Sequence, residues 1–293
     1  MGLASCKELL QDAYRNGYAV GEFTIRTFDM AEAIIRAARA CDAPAIIGVH
    51  RASFARKETF DNLVPAVVDL VKRSDAEIGV HLDHGDDLDD IVAAIDAGVN
   101  SVMIDLSESG LPFDEIVRQN REVVDYAHPR GVAVEGEVGH MASGEPGIEP
   151  PAEADKSGFT DPQQAQEFVT RTGVDYLTVS IGTVHGHYAG TPELDYERLA
   201  EIRNLVDVPL ILHGGSGTPC EMAQRAISLG VTRINIYTEY GMKVDRAVRR
   251  YVEENPSTIH TIPDAINQAM DAVESAVKER INCFTVAMRN KAA

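Results

Sequence analysis

Eight times along this chain, a short apolar or β-branched run is followed by a longer stretch in which apolar residues recur at helical spacing. The runs read as strands at 18–23 (YAVGEF), 44–49, 78–82, 99–104, 131–137, 175–180, 208–212 and 231–236. The stretches at 29–41, 58–73, 86–97, 113–128, 161–172, 194–204, 218–229 and 239–254 read as helices. Asp29, Asp161 before Pro162, and Thr218 before Pro219 stand where helix caps are expected. Strict alternation of strand and helix demands parallel strands, because only a parallel pair needs a long crossover. The simplest closure is a (β/α)8 TIM barrel forming one domain over 1–293; a doubly wound sheet is the alternative. Two segments depart from the repeat. Residues 138–160, rich in Gly, Pro and acids, read as a mobile loop. From about 261 the chain reads as a C-terminal helical extension that packs on the barrel or on a sister subunit.

Charge narrows the partners. Against 46 acidic residues stand 27 basic ones, a formal net charge of −19. Nucleic acid and anionic membrane both call for clustered cations, so neither is expected. No apolar run approaches the ~20 residues of a membrane span. Any anionic substrate must be held by a local device against the global field. Cys6, Cys41, Cys220 and Cys283 lie far apart, without a CxxC pair or a leader-like start, and read as free thiols in a reducing cytoplasm.

Three histidines follow apolar runs and precede Gly-rich turns: His84 in HLDHG, His185 in GTVHGHY and His213 in LILHGGSG. On a barrel they fall at the C-terminal ends of strands three, six and seven, the face where such folds carry active sites. Three neutral imidazoles at one rim form a ligand set for Zn²⁺ or a similar divalent metal, with a position left for substrate. His81, His187 and any single histidine alone read more simply as hydrogen-bonded rim or core residues. Asp83 either orients His84 or works as a general acid and base. Glu135 and Glu137, two apart on strand five, face the interior together. Glu137 and Asp105 could ligate metal or accept a ligand's second N–H. GGSG (214–217) and NIYTE (235–239) follow the last two strands, where barrels commonly hold phosphate on main-chain N–H groups. Ser216 and Thr238 would add hydroxyls, and Asn235 an amide.

HLDHG, SVMID (101–105), VEGEVG (134–139), FTDP (159–162), RTGVD (171–175), IGTVHGHY (181–188), LHGGSG (212–217) and INIYTE (234–239) together resemble the class II, metal-dependent ketose-bisphosphate aldolases. The resemblance runs from Tyr18 to Glu239 and more loosely to the C-terminus. It implies that His84, His185 and His213 bind the catalytic metal, Zn²⁺ or another divalent ion, with a monovalent cation as a further candidate. It implies second-site or alternate metal carboxylates at Asp105 and Glu137, and an acid at Asp83 that protonates the aldehyde oxygen. Glu145, on the loop after strand five, would exchange the proton on the nucleophilic carbon. Gly186, Gly214, Gly215, Ser216, Asn235, Ile236, Tyr237 and Thr238 would hold a sugar phosphate, and a homodimer or homotetramer is implied.

The chain departs from the family pattern around substrate. Ala189 replaces a Lys that follows the Tyr of the HGxY segment, Ala142-Ser143 replaces a glycine pair, and Tyr237 replaces an Asp or Asn. Arg26, His50 and Arg51 bring cations to the ends of strands one and two, as solvated loop residues or as the seat of a displaced anionic group. The expected activity is therefore reversible retro-aldol cleavage of a ketose phosphate or related ketose. A ketose epimerase using the same centre, and a non-catalytic sugar-phosphate-binding subunit, are the alternatives.

Overall fold

A computed structural model describes residues 2–51, 54, 56–107, 109–141, 143–144, 156–186, 190–256 and 261–288. Eight parallel strands close a barrel in sequence order: β1 (Val20–Ile25), β2 (Ala45–Val49), β3 (Ile78–Gly85), β4 (Ser101–Ile104), β5 (Ala133–Val138), β6 (Tyr176–Val179), β7 (Leu210–Leu212) and β8 (Val231–Ile236). β1 completes the ring by pairing with both β8 and β2. Helices α2 (Phe28–Cys41), α3 (Lys57–Arg73), α4 (Leu88–Asp96), α5 (Phe113–Ala127), α6 (Pro162–Thr172), α7 (Tyr196–Leu205), α8 (Cys220–Ser228) and α9 (Thr238–Glu254) follow the strands in turn. With helices outside and side chains within, every residue of β1, β5 and β8 is buried, as a parallel sheet requires.

The barrel is filled in levels. At the bottom, Val20, Ile46, Ala133, Tyr176 and Ile211 meet Cys6, Leu9, Leu10 and Ala13. Those last four lie at one face of α1 (Cys6–Asn16), which Ser5 caps at its start and Gly17, left-handed, ends. α1 thus plugs the lower mouth; it lies outside the eight repeating units read from the sequence. Above it sit polar side chains, Glu22, His81, Ser101, Glu135, Thr178 and Arg233, all fully buried. The mouth at the C-terminal ends of the strands lies above these.

Several expectations are corrected. β1 begins two residues later than the sequence suggests and runs to Ile25, placing Arg26 directly at its end. Asp161 does cap α6, accepting from the Gln164 N–H, but Asp29 sits inside the first turn of α2, whose cap position is Thr27. Thr218 also precedes the cap of α8, which is Pro219, so GGSG forms a loop rather than a helix start. α10 (Thr261–Phe284) supplies the C-terminal helix and packs on α9, α2 and α8. Most of 138–160 lies outside the described residues. No described helix is long and apolar enough to cross a membrane.

The cysteines also depart from the reading as four free thiols. Cys220 and Cys283 form a disulfide that ties the start of α8 to α10; Cys6 and Cys41 are free. The two partners are 63 residues apart, a separation at which no local motif announces the pairing. Cys283→Ser is expected to remove about 2–4 kcal/mol of stability, with Tm falling by roughly 5–10 °C. Calorimetry beside a thiol count of the denatured, unreduced protein checks this; four thiols in place of the two of Cys6 and Cys41, with an unchanged Tm in the variant, would rule out a structural bond.

Candidate active site

The mouth is built by an irregularity in β3. Alternation along a strand would send Asp83 inward and His84 outward. The pairing with β4 slips between Leu82 and Gly85, and His84 adopts a left-handed φ of 51°. That bulge turns two consecutive side chains into one site, a conformation a non-glycine residue holds only where its surroundings impose it. Gly214, at φ 64°, has a second role: a Cβ there would lie 2.4 Å from the Val184 carbonyl oxygen, so the GGSG loop can lie against the segment carrying His185.

The three histidines converge. Ring centroids stand 4.8 Å apart for His84 and His213, 5.2 Å for His84 and His185, and 5.9 Å for His185 and His213. One ring nitrogen from each falls within 4.8 Å of the others, a spacing compatible with a shared ion after small side-chain adjustment. The chemistry of the set fits a divalent metal. His213 Nδ1 is buried without a hydrogen-bond partner, and its Nε2 lies 2.9 Å from Glu135. His84 gives its Nδ1 to Asp105 at 2.7 Å, leaving Nε2 for a ligand. A carboxylate behind an imidazole fixes its tautomer and raises its basicity.

Both oxygens of Asp105 are engaged, one by His84 and the other by the N–H and hydroxyl of Ser107, which casts it as an orienting group. Glu137 keeps an oxygen without a partner and belongs to a second candidate cluster with His84 and Asp105. Burial, then the charge of Asp105, push the Glu137 carboxyl up to about 8. Burial alone would lower the His84 pKa; Asp83, the Asp105 hydrogen bond and Glu137 override it and lift it to about 10. His185, desolvated and facing two other imidazoles, is held down at about 3 and stands neutral.

Asp83 lies 3.6 Å from His84 Nε2 and 3.9 Å from His213 Nε2, and accepts from Asn235 Nδ2 at 3.4 Å. Burial opposes its charge, yet His84, His213, His81 and His50 hold the carboxylate well below the usual range. It is an ionised base in the metal-free protein.

A buried network underlies this layer. Arg233, with no exposure, reaches Glu135 at 2.7 Å, Glu22 at 3.1 Å and the Asn235 carbonyl oxygen of the side chain at 3.0 Å. Glu135 also contacts His213, His81 and the Thr178 hydroxyl. Arg233 and Glu22 were no part of the sequence expectation. The signal was strand parity: Arg233 and Asn235 are two apart in VTRINI, so one inward polar residue implied the other.

At the anion loops, Ser216 Oγ accepts the N–H groups of Tyr237 (3.1 Å) and Glu239 (3.4 Å), and the Gly215 N–H goes to the Asn235 carbonyl. The N–H groups of Ser216 and Thr238 have no acceptor among the described residues. Ile236 is buried in the core, so only its main chain is available. Gly186 pairs with Gly144 in a short parallel ladder, Ser143–Gly144 against His185–Gly186. Glu145 follows that ladder directly and, like His187 and Ala189, lies outside the described residues. His50 stands 5.5 Å from the His84 ring and Arg26 lies 4.8 Å above the Tyr237 ring. Arg51 is drawn instead into an ion pair with buried Asp90 of α4.

Fold and site together define a metal-dependent barrel enzyme that works on an oxygen-bearing substrate at the strand ends. The family model described as fructose-bisphosphate aldolase class-II matches residues 4–289. A fructose-bisphosphate aldolase of Geobacillus stearothermophilus is 39% identical over 286 residues, covering 97% of each chain. That of Staphylococcus aureus strain Mu50 is 38% identical over 293 residues, covering 99% of this chain and 100% of the relative. The crystal structure of the YdjI aldolase from Escherichia coli K12 superposes with a TM-score of 0.83 at 31% identity, covering 98% of this chain and 99% of that one. The chain belongs to the class II fructose-bisphosphate aldolase family. It is a lyase, a metal-dependent aldolase.

Proposed function

We propose that the enzyme reversibly cleaves a ketose phosphate into a dihydroxyacetone-phosphate-like ketone and an aldehyde, with zinc on His84, His185 and His213. The observation that carries this is the convergence of three imidazole nitrogens beside an ionised Asp83. Bound there, a divalent ion would supply Lewis-acid polarisation of the substrate's oxygens. Asp83 removes the proton from the hydroxyl on the carbon that becomes the aldehyde, and returns it in the condensation direction. Asn235, bonded to Asp83, holds that carboxylate and offers its amide to substrate. Glu145 exchanges the proton on the nucleophilic carbon; the Gly144–Gly186 pairing just before it supports this by anchoring the loop beside His185. Ser216 and Thr238, with Gly186, Gly214, Gly215, Asn235, Ile236 and Tyr237 lining the same loops, cradle the ketone's phosphate. Asp105 steadies His84, and Glu137 is the carboxylate available to a displaced metal ion. A monovalent cation near the loops, a homodimer or homotetramer, and a cytoplasmic site of action complete the reading. Met242, Val252 and Ile262, apolar and exposed on α9 and α10, support an oligomer. No observation at the site favours an epimerase or a non-catalytic subunit.

The test is an assay with ketose 1-phosphates and 1,6-bisphosphates, trapping the aldehyde and ketone with coupled dehydrogenases. Chelation is expected to lower the rate by at least ~10³-fold, with zinc restoring it, since the metal's charge stabilisation amounts to several kcal/mol. Metal-replete protein that cleaves no ketose of this set would reject the proposal.

Metal uptake should also release protons. Below about 10 the metal-free His84 is an imidazolium, and a metal ion must displace that proton. Affinity is therefore expected to climb with pH through the neutral range, with release of about one proton from His84 at pH 7.5. Titration calorimetry in buffers of different protonation enthalpy reads that number. Glu137, raised to about 8, adds to it if it too ligates.

A further inference from the structure

We propose that the Cys220–Cys283 disulfide is a reversible redox lock on the loops that hold the ketone's phosphate, so that its opening by a dithiol weakens binding of the phosphorylated ketone. This deepens the aldolase reading and rests on it. The GGSG loop ends at Gly217, and Thr218 and Pro219 alone separate it from Cys220, the first residue of α8. Pro219 stiffens that link, its φ at −56°. α10 meets this short segment twice. Cys283 bonds covalently to Cys220, and Arg280, three residues earlier on the same side of the helix, donates to the Thr218 carbonyl at 2.7 Å. Arg280 also pairs through both arms with Glu239, the neighbour of Thr238 in the second loop. Glu239 accepts the Gly217 N–H at 3.1 Å, and Ser216 Oγ accepts the N–H groups of Tyr237 and Glu239. Both loops and α10 are thus one bonded assembly, of which the disulfide is the covalent member.

The barrel does not need this bond to stay closed. Staples are the resort of small domains, whereas a chain of 293 residues buries a large core. Cys6 and Cys41 stay free, so the bond belongs to no disulfide framework. In the cytoplasm proposed above, a disulfide is usually a sensor or a catalyst. Cys283 is buried and Cys220 half-buried, which leaves Cys220 Sγ as the sulfur within reach of a thiolate. A dithiol's thiolate attacks it, and Cys283 leaves as a thiolate. The dithiol's second sulfur then attacks the first, and Cys220 leaves as a thiolate that the N-terminal dipole of α8 stabilises. Two electrons pass from the dithiol, which becomes a disulfide, and its two protons go to the two protein sulfurs. Ile281 and Phe284 remain buried and keep α10 on the barrel, while its last turn, with Arg280 just before, is free to shift from α8.

The experiment compares zinc-loaded enzyme as isolated, after dithiothreitol treatment and its removal without oxygen, and after re-oxidation. Each form condenses dihydroxyacetone phosphate with one aldehyde. On reduction the KM for dihydroxyacetone phosphate is expected to rise about 5–20-fold, a modest coupling between separate sites, and to return on re-oxidation. The KM for the aldehyde and kcat should change little, and unphosphorylated dihydroxyacetone should show no such rise. Amide exchange at Gly217, Tyr237 and Glu239 should quicken in the reduced form, which a simple staple would not cause. The double variant Cys220→Ser, Cys283→Ser should carry the raised KM permanently and ignore dithiothreitol. A bond that excess dithiothreitol leaves closed in the folded enzyme overturns the proposal. So does a bond that opens with KM unchanged, or a KM that rises equally for the ketone with and without phosphate. Absence of C–C bond formation in every form rejects the aldolase reading and this inference with it; turnover indifferent to reduction rejects the inference alone.

Discussion

Arg233→Met is expected to cost the fold roughly 3–5 kcal/mol, the penalty for breaking a buried charge pair from one side. Burial raises the carboxyl pKa of Glu22, helped by Asp83, and there it prevails over Arg233; at Glu135 burial is overcome, chiefly by Arg233, and the group stays ionised. The interior level thus sets one guanidinium against ionised Glu135, while burial disfavours a charge on Glu22. Methionine fills most of the volume but leaves Glu135 charged in an apolar barrel. A Tm lower by roughly 8–15 °C is expected for a chain of this size. Arg233→Lys keeps the charge, loses the fork between two carboxylates, and should lie between. The damage should reach the mouth, because Glu135 fixes the His213 ring and Arg233 holds the Asn235 amide. Zinc affinity measured by competition with a chelating dye is therefore expected to fall about 10–100-fold, the usual cost of disturbing a ligand's hydrogen-bond partner. Unchanged Tm and unchanged zinc affinity would mean that Glu135 simply takes up a proton.

Asp83→Asn is expected to lower kcat by about 10²–10⁴-fold while the metal stays bound, because the amide keeps the shape and loses the basicity. Asp83→Ala should match that loss. A second readout separates chemistry from structure. Asp83 is the largest influence lifting the His84 pKa, so its neutralisation should bring that pKa down and reduce the protons released on zinc binding near pH 7.5. A variant with normal proton release and normal turnover would remove Asp83 from the mechanism.

The barrel was legible because its signal is periodic and redundant: each of eight runs was placed within a few residues by alternation with amphipathic stretches. The three histidines were legible for a related reason, since Gly-rich turns after apolar runs mark strand ends. What escaped has local physical causes. α1 caps the bottom of the barrel and belongs to no repeat, so the strand–helix alternation was silent about it. His84 points inward only through a bulge and a left-handed φ, which no spacing rule announces. Arg51 read equally as a solvated loop residue or a substrate cation, because its ion pair with Asp90, one helix away, is a tertiary contact. The Cys220–Cys283 bond depends on how α10 lies across α8, a tertiary fact.

That last helix also reaches the anion loops. Arg280 of α10 forms a two-pronged ion pair with Glu239 and donates to the Thr218 carbonyl, while Glu239 accepts the Gly217 N–H at 3.1 Å. Truncating the chain near its end, or fusing a bulky tag that pries α10 outward, should thus slacken the hold on substrate before the barrel itself is disturbed. Anyone engineering this enzyme should treat the C-terminal segment as working machinery and attach handles at the opposite terminus.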